Sequence, residues 1–341
     1  MNLRLHLRRY RLPFRQPLRT GHGWWVEREG VIVRLQDERG REGYGEAAPV
    51  PGFGSEDASG VETKLRGLGK RLSSDDFEAR CDELGGCAAH ALRAAWADLA
   101  EEEVEAQNGP EYLPVAALLP AGEQALRVME PKAELGFRTF KWKVGVADPQ
   151  DERAMLLDLL AVLPKEARLR LDANGAWNRV EAERWLTLCA EFPMIEWVEQ
   201  PVAAGERGTM DLMLGLGGDY PTKLALDESL VSEQDVDQWI NVGWPGVWVI
   251  KPALWGDASQ VIARLAQAKA DVVFSSALET AVGARTLFRF AFAWPGKQRA
   301  LGTGVWPLYA HRALNGPTAM PFVRWDDVKT LNAEAAWNAL N

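Results

Sequence analysis

The chain has 341 residues, 47% of them hydrophobic and 26% charged, which suits a globular protein with a sizeable core in one large domain or two linked ones. A net charge of −9 argues against nucleic-acid binding, which calls for a basic surface. The basic N-terminus, M-N-L-R-L-H-L-R-R-Y-R, lacks the apolar segment of a leader, no run is long enough to span a bilayer, and Cys81, Cys87 and Cys189 have no metal-ligand spacing, so a cytoplasmic protein with reduced thiols and no membrane partner is expected.

Residues 1 to about 60 hold alternating segments, L-R-L-H-L, V-E-R-E-G-V-I-V-R-L and E-G-Y-G-E-A-A-P-V, separated by Gly, Pro and charge. They read as an antiparallel meander, followed by a Gly/Ser loop, G-F-G-S-E-D, at 52–57. From about 61 to 107 the pattern turns helical and ends in an Ala-rich stretch. This predicts an α+β domain over 1–110.

After Pro110 short apolar runs alternate with longer amphipathic ones. Candidate strands are 113–119, 139–144, 169–173, 195–199, 223–227, 247–251, 272–277 and 299–303, with helical patterns such as E-R-A-M-L-L-D-L-L-A-V-L between them. Alternating strands and helices imply right-handed crossovers and a parallel sheet. Eight strands in about two hundred residues fit a (β/α) barrel over 111–310, although an open doubly wound sheet shares the local rhythm. The tail, 311–341, is expected to return to the N-terminal domain.

The charged residues sharpen this reading. Lys143, Asp172, Glu199, Asp227 and Lys251 close the second to the sixth barrel strands in turn. Barrel active sites are built at that end of the strands. In F-K-W-K-V-G, Lys141 and Lys143 share one strand face and Phe140, Trp142 and Val144 the other. A barrel strand is buried on both faces, so the lysines point inward. Ile195, Trp197 and Glu199 share a face by the same parity, as do Val247, Val249 and Lys251. Arg170 shares parity with Asp172 and is placed deeper in the barrel, without an assigned role.

Three carboxylates converging in one mouth repel and resist ionising. A divalent cation removes that problem, and hard oxygen ligands without Cys or His suit Mg²⁺. A free lysine, with a pKa of about 10.4, is protonated near neutrality. Lys141 beside Lys143, with Lys251 and a cation near, would lower the Lys143 pKa and make it a base. The alternative is that Lys141 pairs with a carboxylate and Lys143 only snorkels. A metal holding a carboxylate and a lysine reaching its α-carbon define proton abstraction α to a carboxylate.

These residues resemble the enolase superfamily, in which lysine bases working with Mg²⁺ are established chemistry. The motifs that carry the resemblance are K-W-K (141–143), L-D-A-N-G-A-W (171–177), W-V-E-Q-P (197–201), L-D-E-S (226–229) and V-I-K-P (249–252). The similarity covers nearly the whole chain. It implies a modified TIM barrel, (β/α)7β, with an α+β capping domain. Lysines on the second and sixth strands are similar to the muconate-lactonising-like group. S-S-A-L-E-T (275–280) and L-G-T-G (301–304) resemble the o-succinylbenzoate synthase family within it.

The resemblance implies that Lys143 takes the α-proton and then protonates the departing hydroxyl on the same face. It implies that Lys251 stabilises the enediolate from the opposite side, that Asp172, Glu199 and Asp227 bind Mg²⁺, for which Mn²⁺ can substitute, and that Lys141 and Asn174 support them. Ser276 and Gly302 would hold the succinyl end, and loops around Thr20–Trp24 and Pro51–Ser55 would close the mouth. The partner implied is a small carboxylate, taken by a monomer or homo-oligomer. Dipeptide epimerases, N-acylamino acid racemases and muconate cycloisomerases are the alternatives. Epimerases usually carry an acidic D-x-D on the eighth strand, and L-G-T-G has no acid.

Overall fold

The computed structural model describes residues 2–20, 23–54, 56–100 and 109–340. The chain opens with β1 (Asn2–Thr20), β2 (Gly23–Gln36) and β3 (Glu42–Ala47), paired antiparallel. The helix α1 (Ala58–Gly67) leads to β4 (Arg71–Ser73), which pairs with β1 and completes a four-stranded sheet in the order β3-β2-β1-β4. Two helices follow, α2 (Phe77–Leu84) and α3 (Gly86–Ala100); the end of the helical stretch expected to reach 107 lies outside the described residues.

The Ala-rich α3 lies against β3 because both surfaces are small. A Cβ added at Gly45 would stand 2.0 Å from the Ala91 carbonyl oxygen, and one at Gly43 2.2 Å from that of Ala95. Gly45→Ala is therefore expected to destabilise the protein by about 1–3 kcal/mol, as overpacking does. Denaturant unfolding measures it; an unchanged midpoint would show that helix and strand separate freely.

The second sheet is parallel. After β5 (Tyr112–Pro114), strand and helix alternate: β6 (Ala117–Leu119) with α4 (Gln124–Glu134), β7 (Thr139–Lys143) with α5 (Pro149–Val162), β8 (Arg168–Asp172) with α6 (Arg179–Cys189), and β9 (Ile195–Glu199) with α7 (Thr209–Asp219). Then come β10 (Leu224–Leu226) with α8 (Glu233–Asn241), β11 (Val247–Ile250) with α9 (Ala258–Gln267), and β12 (Asp271–Phe274) with α10 (Ala281–Ala293). The strands follow one another in chain order from β6 to β12. The eighth strand is short: Leu301 bridges Val115 and Gly302 bridges Ser275, both parallel, and so closes the sheet on itself. Among the described residues only a single 3-10 turn, Arg312–Leu314, and no α-helix follows it before the short strand β13 (Phe322–Arg324), which pairs with β5, so the barrel is (β/α)7β.

Helix starts are written locally. Asp148, Asn178, Asp257 and Thr280 each cap a helix with the side chain, and Ser232 forms a capping box with Asp235. The tail forms α11 (Trp325–Lys329) and α12 (Ala333–Asn338), and Trp337 lies under the guanidinium groups of Arg8 and Arg34 at 4.4 and 4.8 Å.

The barrel interior is a separate apolar cluster of Trp197, Ala225, Val247, Val249 and Val273. Phe140, Trp142, Leu169, Leu171, Leu224, Leu226, Trp248 and Ile250 belong instead to the large core on the helix side. Alternation along each strand thus aims Lys141, Lys143, Asp172, Asp227 and Lys251 toward the interior. Parity fails at one place. Ile195 joins the outer core and Trp197 the inner cluster, because the β8–β9 register slips by one residue between Leu169↔Ile195 and Arg170↔Trp197. The extra residue is Glu196, and such a bulge re-aims its neighbours. Arg170 uses it: the guanidinium stacks on Trp197 at 3.9 Å and donates to Glu196 Oε2 and to the Ala300 carbonyl, both at 2.7 Å.

Candidate active site

The ends of the barrel strands and the capping sheet enclose a cavity of about 380 Å³. Lys141, Lys143, Asp172, Asn174, Asp227, Glu228 and Lys251 form its polar side. Ser275, Ser276 and Gly302 line it from the seventh and eighth strands. Apolar side chains complete it: Leu118 and Leu119 from β6, Val305 and Leu308 beyond the eighth strand, and Leu18, Trp25 and Phe53 from the cap.

Lys143 leaves β7 into a loop that is clamped from below. The buried Glu152 carboxylate of α5 accepts from the amides of Gly145, Val146 and Ala147 at 2.7–3.0 Å. Gly145 has φ 75, and a Cβ there would stand 2.7 Å from that of Ala176, so glycine is required. Glu152 held no signal in the sequence beyond its place in a helix.

Lys141 donates to Glu199 Oε1 at 2.6 Å and lies 2.9 Å from Asp172 Oδ2. Burial disfavours its charge, but Asp172, Glu199 and Asp227 outweigh burial and raise its pKa above the ordinary lysine value. Lys141 is thus a fixed cation on the face it shares with Lys143. Burial likewise pushes Asp172 up, and Lys141, Lys143 and Lys251 more than offset it, so that carboxyl lies below its usual value. Glu199, 1% exposed beneath Lys141, goes the other way: burial, Asp172 and Asp227 raise it to about 8 against the pull of Lys141. Lys251 donates to Asp227 Oδ1 and stands 4.5 Å from the ring of Phe53, which brings the cap onto the sixth strand.

Gln200 in W-V-E-Q-P and Glu228 in L-D-E-S follow the carboxylates Glu199 and Asp227 directly. Gln200 is fully buried; its Oε1 accepts from the Asp227 and Ser229 amides, both at 3.2 Å, so it fixes the loop that carries Asp227. Glu228 accepts from Asn174 Nδ2 at 3.0 Å, and burial followed by Asp227 and Asp172 raises it to about 8. Asn174 and Gln200 have φ of 44 and 36, an uncommon region for residues with a side chain and one that clusters at functional sites. For Gln200 and Glu228 the signal in the sequence is their position beside a strand-end carboxylate.

Among the described residues no three His, Cys, Asp or Glu side chains stand close enough together to hold a metal ion. The ammonium groups of Lys141 and Lys251 occupy carboxylate oxygens of Asp172, Glu199 and Asp227. The donor set still fits a hard cation. It consists of carboxylates alone, one of them pushed up to about 8, and Asn174 Oδ1 and Glu228 Oε2 are buried without a protein partner. Of the two loops expected to close the mouth, Pro51–Ser55 lines the cavity through Pro51 and Phe53, whereas beside Thr20–Trp24 it is the flanking Leu18 and Trp25 that do so and Trp24 is exposed. Gly21, His22 and Ser55 lie outside the described residues, and no helix among those residues is long and apolar enough to cross a membrane.

A (β/α)7β barrel capped by an α+β domain, with charge on five successive strand ends, is the architecture of the enolase superfamily. A family model described as "Enolase C-terminal domain-like" matches residues 123–319, and one described as "MenC, N-terminal domain" matches 3–99. The o-succinylbenzoate synthase of Thermosynechococcus vestitus is 38% identical over 307 residues, covering 89% of this chain and 92% of that one. That of Edwardsiella ictaluri is 30% identical, covering 87% and 89%. Among solved structures, o-succinylbenzoate synthase from Thermosynechococcus elongatus BP-1, with Mg in its active site, matches at 35% identity and TM-score 0.81 over 99% of this chain and 100% of that one. N-succinyl Arg/Lys racemase of Bacillus cereus reaches TM-score 0.82 at 21% identity, a likeness of fold alone. The chain belongs to the o-succinylbenzoate synthase family, hydro-lyases of the enolase superfamily.

Proposed function

We propose that the chain dehydrates 2-succinyl-6-hydroxy-2,4-cyclohexadiene-1-carboxylate to o-succinylbenzoate, in the cytoplasm, on a route to menaquinone or phylloquinone. The observation that carries this is one cavity with Lys143 and Lys251 among acidic residues on one side and an apolar lining for a six-membered ring on the other. Residues 1–110 form the cap, 111–310 the catalytic barrel and 311–341 the returning segment.

Lys143, as the neutral amine, takes the proton from C1 of the ring. The C6–oxygen bond breaks, and the proton leaves with the hydroxyl as water from the same face. One proton and one hydroxide depart, the ring becomes aromatic, and the lysine returns to its starting form. Lys141 is the fixed cation that disfavours a second ammonium beside it. Lys251 holds positive charge on the opposite strand end as negative charge grows on the substrate. Asp172, Glu199 and Asp227 would hold Mg²⁺, with Mn²⁺ able to replace it, and the bound ion supplies electrostatic stabilisation of the substrate carboxylate. Ser276 and Gly302 face the succinyl arm, and Leu18, Trp25 and Phe53 keep water off the ring.

The test is loss of the diene absorbance in the presence of Mg²⁺, with and without EDTA. Fast, chelator-sensitive loss is expected. Absence of loss would move the reading to a racemase or epimerase, detected by α-proton exchange into deuterated water.

A further inference from the structure

Across the barrel from the acidic strand ends, S-S-A-L-E-T turns over a buried carboxyl group that the mechanism above does not use. Glu279 is 1% exposed, and its carboxyl group meets Ser276, with Oγ 2.9 Å from Glu279 Oε2. Ser276 Oγ also accepts from the Leu278 amide at 2.8 Å. Ser276 lines the cavity and Glu279 does not. The pair sits in a rigid frame. Leu278 has φ 61, and its carbonyl accepts from Arg28 Nε at 3.2 Å and from the Tyr309 hydroxyl at 2.6 Å. Behind Glu279 is Gly283 of α10, where a Cβ would stand 2.7 Å from that of Glu279 and 3.1 Å from Glu46 Oε2.

A serine hydroxyl has one proton and two lone pairs. One lone pair of Ser276 is committed to the Leu278 amide. An ionised Glu279 can only accept, so it takes the serine proton and leaves the cavity facing a lone pair. A protonated Glu279 donates to that second lone pair and frees the serine proton for the cavity.

We propose that Glu279 is a positioning residue that sets the hydrogen-bond polarity of Ser276, so that Ser276 donates to an oxygen of the substrate's succinyl arm only while Glu279 carries a proton. This rests on the proposed reaction, whose substrate has a carboxylate and a ketone on that arm. The groups that act on Glu279 from the packed elements are Glu46 on β3, Arg28 on β2 and Tyr309 beyond the eighth strand, and Tyr10 on β1 donates to Glu46. Glu46 and Arg28 act on it with opposite sign, and burial holds both phenols neutral. Burial, with Glu46 adding to it, raises the Glu279 carboxyl to about 7, so its protonation changes near neutrality. Above that range the succinyl arm binds together with one proton from solution.

The test is calorimetric binding of o-succinylbenzoate to the Mg²⁺-loaded protein from about pH 6 to about pH 9, in two buffers of different ionisation enthalpy, which counts protons taken up. The wild-type dissociation constant should rise up to about tenfold per pH unit above neutrality, with about one proton bound. Glu279→Gln cannot titrate and should lose that slope and that proton. Ser276→Ala should lose them as well and bind at every pH as weakly as the wild type does at high pH. Lys143 and the carboxylates are common to all three proteins, so the difference between them isolates Glu279. A Glu279→Gln slope and proton count equal to the wild type's overturns the proposal. Should that variant fail to fold, a wild-type slope in Ser276→Ala overturns it equally. A wild type that neither turns over the diene nor binds the product at any pH overturns the proposed reaction, and this inference with it.

Discussion

Lys143→Ala is expected to lower turnover of the diene by about 10⁴-fold or more, while the melting temperature and Mg²⁺ affinity stay near wild type. General acid–base catalysis by a positioned side chain supplies about 10²–10⁴-fold, and Lys143 is asked to act twice, as base and then as acid. The fold should tolerate the change. The loop after Lys143 is held by Glu152 through three backbone amides, and the Phe140 and Trp142 side chains that anchor β7 stay in place. Lys141→Ala is the informative contrast. That ammonium lies between Asp172 and Glu199, so its removal leaves the buried Asp172 charge without its nearest cation, and the metal-free protein should lose about 3–5 kcal/mol. A stopped assay and a thermal melt on both variants separate the roles. Near-normal turnover in Lys143→Ala would remove that residue as the base. A normal melt in Lys141→Ala would remove the ion pairs from the account of the site.

Much of this arrangement is legible in the sequence because strand geometry is strict. Side chains alternate, so K-W-K with a carboxylate or lysine closing each of the four following strands directs six charges toward one mouth. What alternation cannot supply is an irregularity or a contact across the fold. The bulge at Glu196 reverses the expected parity of Ile195, and nothing in I-E-W-V-E marks which residue is extra. Gln200 and Glu228 act through loops that fold back on Asp227 and Asn174. Phe53 reaches Lys251 from nearly two hundred positions away, a pairing set by how the cap lies on the barrel. Glu46 shows the same limit. It reads as one of several polar residues in E-G-Y-G-E, yet it accepts from the Thr280 and Gly283 amides at the start of α10 and so fastens cap to barrel.

Glu199→Gln should separate the two demands on the carboxylate cluster. In the metal-free protein the charge of Glu199 is disfavoured: burial, Asp172 and Asp227 raise its pKa to about 8, above the ordinary carboxyl value. The folded state therefore holds that proton more tightly than the unfolded chain, and ∂ΔG/∂pH is negative between about pH 4.5 and about pH 8. Any stability the proton gives is complete below that window and lost as the pH rises through it. The amide does not titrate, so in EDTA Glu199→Gln should match the wild type at acidic pH and exceed it near pH 8. Mg²⁺ moves the comparison toward the wild type. The wild type gains about 3 kcal/mol when free Mg²⁺ is a hundred times its dissociation constant, and the variant gains much less because a hard anionic ligand is gone. Thermal unfolding across pH, with EDTA and with Mg²⁺, reads both effects on one pair of proteins. A variant that gains as much from Mg²⁺ as the wild type would exclude Glu199 from the ligand set. A variant that loses stability in EDTA at pH 8 would mean that the ion pair with Lys141 outweighs the repulsion among the three carboxylates, and the charge of Glu199 would then be part of what holds the metal-free fold together.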